Sequence, residues 1–109
     1  MFNFLQWRAF LEAKAKTLKS EGMQSQFSAG REDAQKPAMI LEIIQNDVCG
    51  AFENWATGET DYTVMSAASQ GNGLLAHKWC LKVTDETFET TFDEFLIAFR
   101  RFTNPENSN

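Results

Sequence analysis

The sequence predicts an α+β domain in which a four-stranded antiparallel meander is flanked in the chain by an N-terminal and a C-terminal helix, both laid on one sheet face. Three observations lead there. Apolar residues recur at three-and-four spacing near both ends of the chain, the signature of two amphipathic helices. Between them lie four runs of branched and aromatic residues separated by turn-forming residues. At 109 residues, 43% hydrophobic and 13% aromatic, the chain fits one domain, residues 1–109, able to bury roughly 60–70% of the surface of its unfolded chain.

The first helix is read from Phe4, Trp7, Leu11, Ala15 and Leu18. Asn3 is placed to cap its N-terminus by accepting a bond from a free backbone N–H, and Gly22 to end it in a left-handed conformation. Residues 21–37, rich in Gln, Ser, Gly and charge, read as a long connecting loop with Phe27 as its lone aromatic.

The first predicted strand is Met39–Ile44, and Asn46-Asp47 supplies a turn, since both residue types tolerate positive φ. The second runs from Val48 to Ala56, and Thr57-Gly58 turns the chain again. The third is Thr60–Ala67, Ser69–Gly73 is a flexible turn, and the fourth is Leu74–Val83. Short turns favour antiparallel neighbours. Phe88, Phe92, Phe95, Leu96, Phe99 and Phe102 then define the last helix, with Arg100 and Arg101 suited to its C-terminal end. Residues 103–109 are polar and expected to fray.

With both helices on one face, the other face is left for water or a partner. Alternation in the fourth strand directs Leu75, Trp79, Leu81 and Val83 to the helices and Lys78, Cys80 and Lys82 away. Placing charges outward in the other strands gives an open face of Ile40, Glu42, Ile44, Cys49, Ala51, Glu53, Trp55, Asp61, Thr63 and Met65. Such a mixture resembles an interaction surface more than a solvated one. A one-residue register error or bulge would instead bury Trp55, and alternation alone does not choose between the two.

Charge is uneven. Residues 1–37 sum to +2 and residues 38–109 to −7, giving the net −5. A field of that sign repels phosphate, so nucleic acid and anionic membrane are poor partners and a basic protein is a better one. No signal peptide or membrane span is read, and two cysteines are far from the density of a secreted disulfide scaffold, so a cytoplasmic location with reduced thiols is expected.

Chemistry finds little support. The single histidine, His77, alternates with Trp79 and is expected on the core side in a structural role, and residues 77 and 80 would face opposite ways on a strand, which rules against a Cys80–His77 dyad. Cys49 and Cys80 lack the spacing of a zinc site, and Glu59-x-Asp61 is better explained as a soluble hairpin than as a cation site. Gly71-Asn72-Gly73 has neither a P-loop nor a dinucleotide-binding pattern. The expectation is a binding protein with no catalytic residue, metal or cofactor.

The run Phe52-Glu53-Asn54-Trp55-Ala56-Thr57-Gly58-Glu59-Thr60-Asp61-Tyr62-Thr63-Val64 resembles a hairpin of small bacterial immunity proteins, the TriTu-type family of polymorphic and contact-dependent toxin systems. The resemblance spans roughly Phe52 to Phe102 and rests on Trp55, Gly58, Glu59 and Asp61. It implies a cytoplasmic antitoxin that occludes a cognate toxin domain in a tight complex; the free chain is expected to be a monomer or a homodimer, between which the sequence does not choose. Many such toxins are basic nucleases, which a carboxylate-rich surface can cover. The partner-binding residues expected on that surface are Glu42, Glu53, Trp55, Glu59, Asp61 and Met65. Two competing functions share the same physics: a type III secretion chaperone, whose strands are usually interrupted by a helix not seen here, and a phage-encoded inhibitor of a defence nuclease.

Overall fold

The computed structural model describes residues 2–30, 37–66 and 73–103, with nothing described of the Cys80 side chain. Its elements are α1 (Phe4–Ser20), β1 (Gln24–Ala29), β2 (Ala38–Gln45), β3 (Val48–Trp55), β4 (Glu59–Ser66), β5 (Leu74–Lys82) and α2 (Phe88–Thr103). The strands form one antiparallel meander in the order β1-β2-β3-β4-β5. α1 lies against β1 and β2, and α2 against β3 and β4.

The helix ends form as their sequence dictates. Asn3 Oδ1 accepts a bond from the Gln6 N–H, and Gly22 adopts φ +96°. The N–H groups of Gly22 and Met23 then donate to the carbonyls of Lys19 and Leu18, while the Met23 and Leu18 side chains are both buried. This closes α1 with the paired bonds and apolar clasp of a left-handed cap. Asn46 and Asp47, at φ +51° and +65°, make the two-residue turn between β2 and β3, whose backbone twist suits a hairpin.

The sheet has five strands where four were expected, because β1 occupies part of the segment read as the 21–37 loop. Gln24-Ser25-Gln26-Phe27-Ser28-Ala29 has weak strand propensity. What orders it is tertiary: β1 pairs with β2 from Gln24↔Ile44 to Ala29↔Met39, Ser25 Oγ donates to the Ala15 carbonyl of α1, and Phe27 packs on the core. The expected turn at Ser69–Gly73 falls mainly on residues 67–72, outside the described residues, as does the tail beyond Thr103. Thr103 itself is buried in the last turn of α2.

The core lies between sheet and helices and is built on aromatic rings. Phe52 of β3 meets Phe88, Phe92 and Phe95 of α2 at centroid distances of 5.6, 5.2 and 5.4 Å, and Trp7 of α1 stacks on Phe88 at 4.4 Å. Each ring removed from water contributes on the order of 2 kcal/mol. Gly50 lets α2 approach this closely, since a Cβ there would stand 2.9 Å from Phe99 and 3.0 Å from Phe95. Asp85 ties the start of α1 to the chain entering α2, accepting from the Asn3 N–H at 2.7 Å and the Trp7 indole N–H at 2.8 Å. Those two bonds hold its carboxyl below the usual range.

Candidate functional site

The face of the sheet opposite the helices is covered by none of the described elements. Strand register arranges it in rows: Gln24, Ile44, Cys49, Met65 and Leu74; then Gln26, Glu42, Ala51, Thr63 and His77; then Ser28, Ile40, Glu53 and Asp61. Trp55 lies opposite Ala38 at the end of β3, and Glu59 lies opposite Lys82. Glu42, Glu53, Trp55, Glu59, Asp61 and Met65 therefore share one surface. Alternation places them there because Leu41, Ile43, Phe52, Tyr62 and Val64 between them are buried toward the helices. The register shift that would have buried Trp55 does not occur.

β5 departs from simple alternation. Thr60 pairs with Leu81 and Tyr62 with Lys78, so two residues, Trp79 and Cys80, stand opposite the single residue Asp61. A second shift follows between Val64 and Met65, whose partners Ala76 and Leu74 leave Leu75 as the extra residue. A bulge of this kind reverses the phase of a strand. Leu81 and Val83 face the core as expected, and Leu75 packs against it. Trp79 and His77, expected on the core side, instead occupy the open face, Trp79 with 57% of its surface exposed. Their rings lie 4.3 Å apart.

Lys78 is the complementary correction: expected to point away, it lies on the helix side. Its ammonium donates to Glu94 Oε1 of α2 at 2.9 Å, and the Tyr62 hydroxyl donates to Glu94 Oε2 at 2.8 Å. Lys78 first, then Tyr62, holds the Glu94 carboxyl below its ordinary range. Burial, reinforced by Glu94, pushes the Tyr62 hydroxyl well above the tyrosine range.

Electrostatically, the open face is acidic. Among the described residues, the strands place on it the carboxylates of Glu42, Glu53, Glu59 and Asp61 and the ammonium of Lys82, which stands 3.8 Å from Glu59. Glu53 and Asp61 are directly opposed across β3 and β4. Partial burial of Glu53, and then the charge of Asp61, raises the Glu53 carboxyl above its ordinary range. Interleaved with these charges are Ile40, Ile44, Ala51, Met65 and both outward tryptophans. Ile44 and Leu74 are 42% and 45% exposed. An apolar centre crossed by carboxylates can bury against a protein partner and select one of opposite charge.

Among the described residues no group of three or more His, Cys, Asp or Glu side chains is arranged to hold a metal ion. Cys49 carries a free thiol. No helix is long and apolar enough to cross a membrane.

The family model described as immunity protein TriTu matches residues 5–98. The chain belongs to the TriTu immunity protein family. The match extends the hairpin resemblance toward the N-terminus: it takes in α1 and the 21–37 segment, which lay outside that resemblance, and all five strands, and it ends at Ala98 within α2. No curated protein and no solved structure matches the chain. In this TriTu family member the open sheet face thus belongs to a protein of the immunity, or antitoxin, class. Sequence reasoning missed Trp79 and His77 as residues of that face. The local sequence carries no signal for them: in Lys78-Trp79-Cys80-Leu81-Lys82 strict alternation buries Trp79 with Leu81 and leaves both lysines outside, and only the bulge opposite Asp61 reverses that phase.

Proposed function

We propose that this protein binds a cognate toxin domain through the open sheet face and neutralises it by covering the active site or another functional surface. The observation that carries the reading is the union, on one face left bare by the helices, of four carboxylates with Ile44, Trp55, Met65 and Trp79. Glu42, Glu53, Trp55, Glu59, Asp61 and Met65 are its contact residues.

A basic toxin fits this face, and a nuclease is the toxin class it suits best. An enzyme that grips phosphates carries a cationic cleft, and opposed carboxylates speed encounter with such a cleft and fix register within it. The inhibitor acts in the cytoplasm of the producing bacterium, within a polymorphic or contact-dependent toxin system, and needs no cofactor. Binding by occlusion requires no catalytic residue of its own.

The test is complex formation with the variable C-terminal toxin domain encoded beside this gene. Combining Glu53→Lys with Glu59→Lys should weaken the complex by at least 100-fold, on the order of 3 kcal/mol, and flatten its dependence on salt. Unchanged affinity and salt slope would remove the face from the interface.

A further inference from the structure

The open face is not flat beside β5. Ile40, Ala51, Glu53, Asp61, Thr63 and Trp79 line a hollow of about 120 Å³. The small side chain of Ala51 leaves the depression, Ile40 and the Trp79 indole supply apolar walls, and two opposed carboxylates supply charge. The Trp79 ring is held against the His77 ring at 4.3 Å with a 31° tilt, which restricts its rotation.

We infer that this hollow receives an arginine side chain of the protein partner, its guanidinium lying on the Trp79 indole and its N–H donors turned to Glu53 and Asp61. The inference rests on the docking reading above and names the chemistry at its centre. A guanidinium is planar, weakly hydrated and able to stack on an indole while donating to two carboxylates, which an ammonium does less well. Charge complementarity selects a cation, because residues 38–109 carry −7 and the face carries one lysine among its described residues. Partial burial, and then the charge of Asp61, raise the Glu53 carboxyl above its ordinary range, and an inserted guanidinium offsets the second of these. Ile40 and Trp79 at the hollow, with Ile44, Trp55 and Met65 elsewhere on the same face, make the setting that of an Arg–Trp anchor within a partly apolar interface.

The experiment uses the full chain and two probes, N-acetyl-arginine methylamide and the isosteric but neutral N-acetyl-citrulline methylamide, followed by the indole N–H and backbone amide resonances. The arginine probe should shift the Trp79 indole signal saturably, with a Kd of order millimolar for so small a ligand. The citrulline probe should not. Trp79→Ala, which truncates an exposed side chain, should abolish the shifts at Ala51 and Thr63, and Glu53→Gln should weaken binding roughly 2- to 10-fold. Equal responses to the two probes, or an arginine response at Ala51 and Thr63 unchanged by Trp79→Ala, would overturn the hollow as an arginine receptor. Ile44→Glu, outside the hollow, separates this from the docking reading. If it breaks the toxin complex while the arginine probe is silent, the face stands and the hollow is wrong. If the probe binds but neither Ile44→Glu nor Trp79→Ala affects the complex, the docking reading fails and the proposed use of the hollow fails with it.

Discussion

Lys78 and Trp79 are adjacent in sequence and lie on opposite sides of the sheet, Lys78 ion-paired to Glu94 of α2 at 2.9 Å and Trp79 lining the open-face hollow. The bulge opposite Asp61 sets this division. On one side β5 is clamped to the last helix, and on the other it presents an indole. A single local irregularity thereby serves both the fold and the candidate interface.

Gly50 is the point where α2 depends on the absence of a side chain. Gly50→Ala places a Cβ against the rings of Phe99 and Phe95 at 2.9 and 3.0 Å, and both rings are fully buried. The loss should be about 1–3 kcal/mol after the smaller entropic gain of replacing glycine in a strand. Chemical denaturation measures it, and the midpoint should fall with an unchanged slope.

Acid should loosen the contact between β5 and α2. Glu94 is held below its ordinary carboxyl value of 4.5 in the folded state by Lys78 and Tyr62. A depressed carboxyl contributes stability that is fully present above the unfolded value and is lost as pH falls through the folded one. The pair is about half exposed, so its effect is screened. Glu94→Gln should therefore cost on the order of 1 kcal/mol at neutral pH, and the difference from the parent should shrink steadily below pH 4.5. Denaturation midpoints across that window provide the check.

Much of this molecule is legible in its sequence because local chemistry and tertiary demand agree. Asn3 and Gly22 bound α1, Asn46-Asp47 make the tight turn, and the Phe88, Phe92, Phe95, Phe99 spacing gives the buried face of α2. β2, β3 and β4 are regular, so plain alternation assigns the faces of Glu42, Glu53, Trp55, Glu59, Asp61 and Met65. Two features are decided elsewhere. β1 is mostly Gln and Ser, and its strand conformation comes from pairing with β2 and cover by α1. Trp79 and His77 were misplaced because alternation was carried from Leu81 backward across a bulge that the local sequence does not announce. The face of immediate functional interest is thus readable except at its edge, where the fold supplies the extra tryptophan.

The chain's three tryptophans divide between the two sides of the sheet: Trp7 is buried with α1, whereas Trp55 and Trp79 belong to the open face. Titrating the isotope-labelled protein with its toxin domain and following the indole N–H signals tests the docking face directly. The expected result is that the Trp55 and Trp79 signals shift together in proportion to complex formed while that of Trp7 stays in place. A complex that shifts Trp7 and leaves Trp55 and Trp79 unmoved would place the interface on the helical side and contradict the role assigned to the open face.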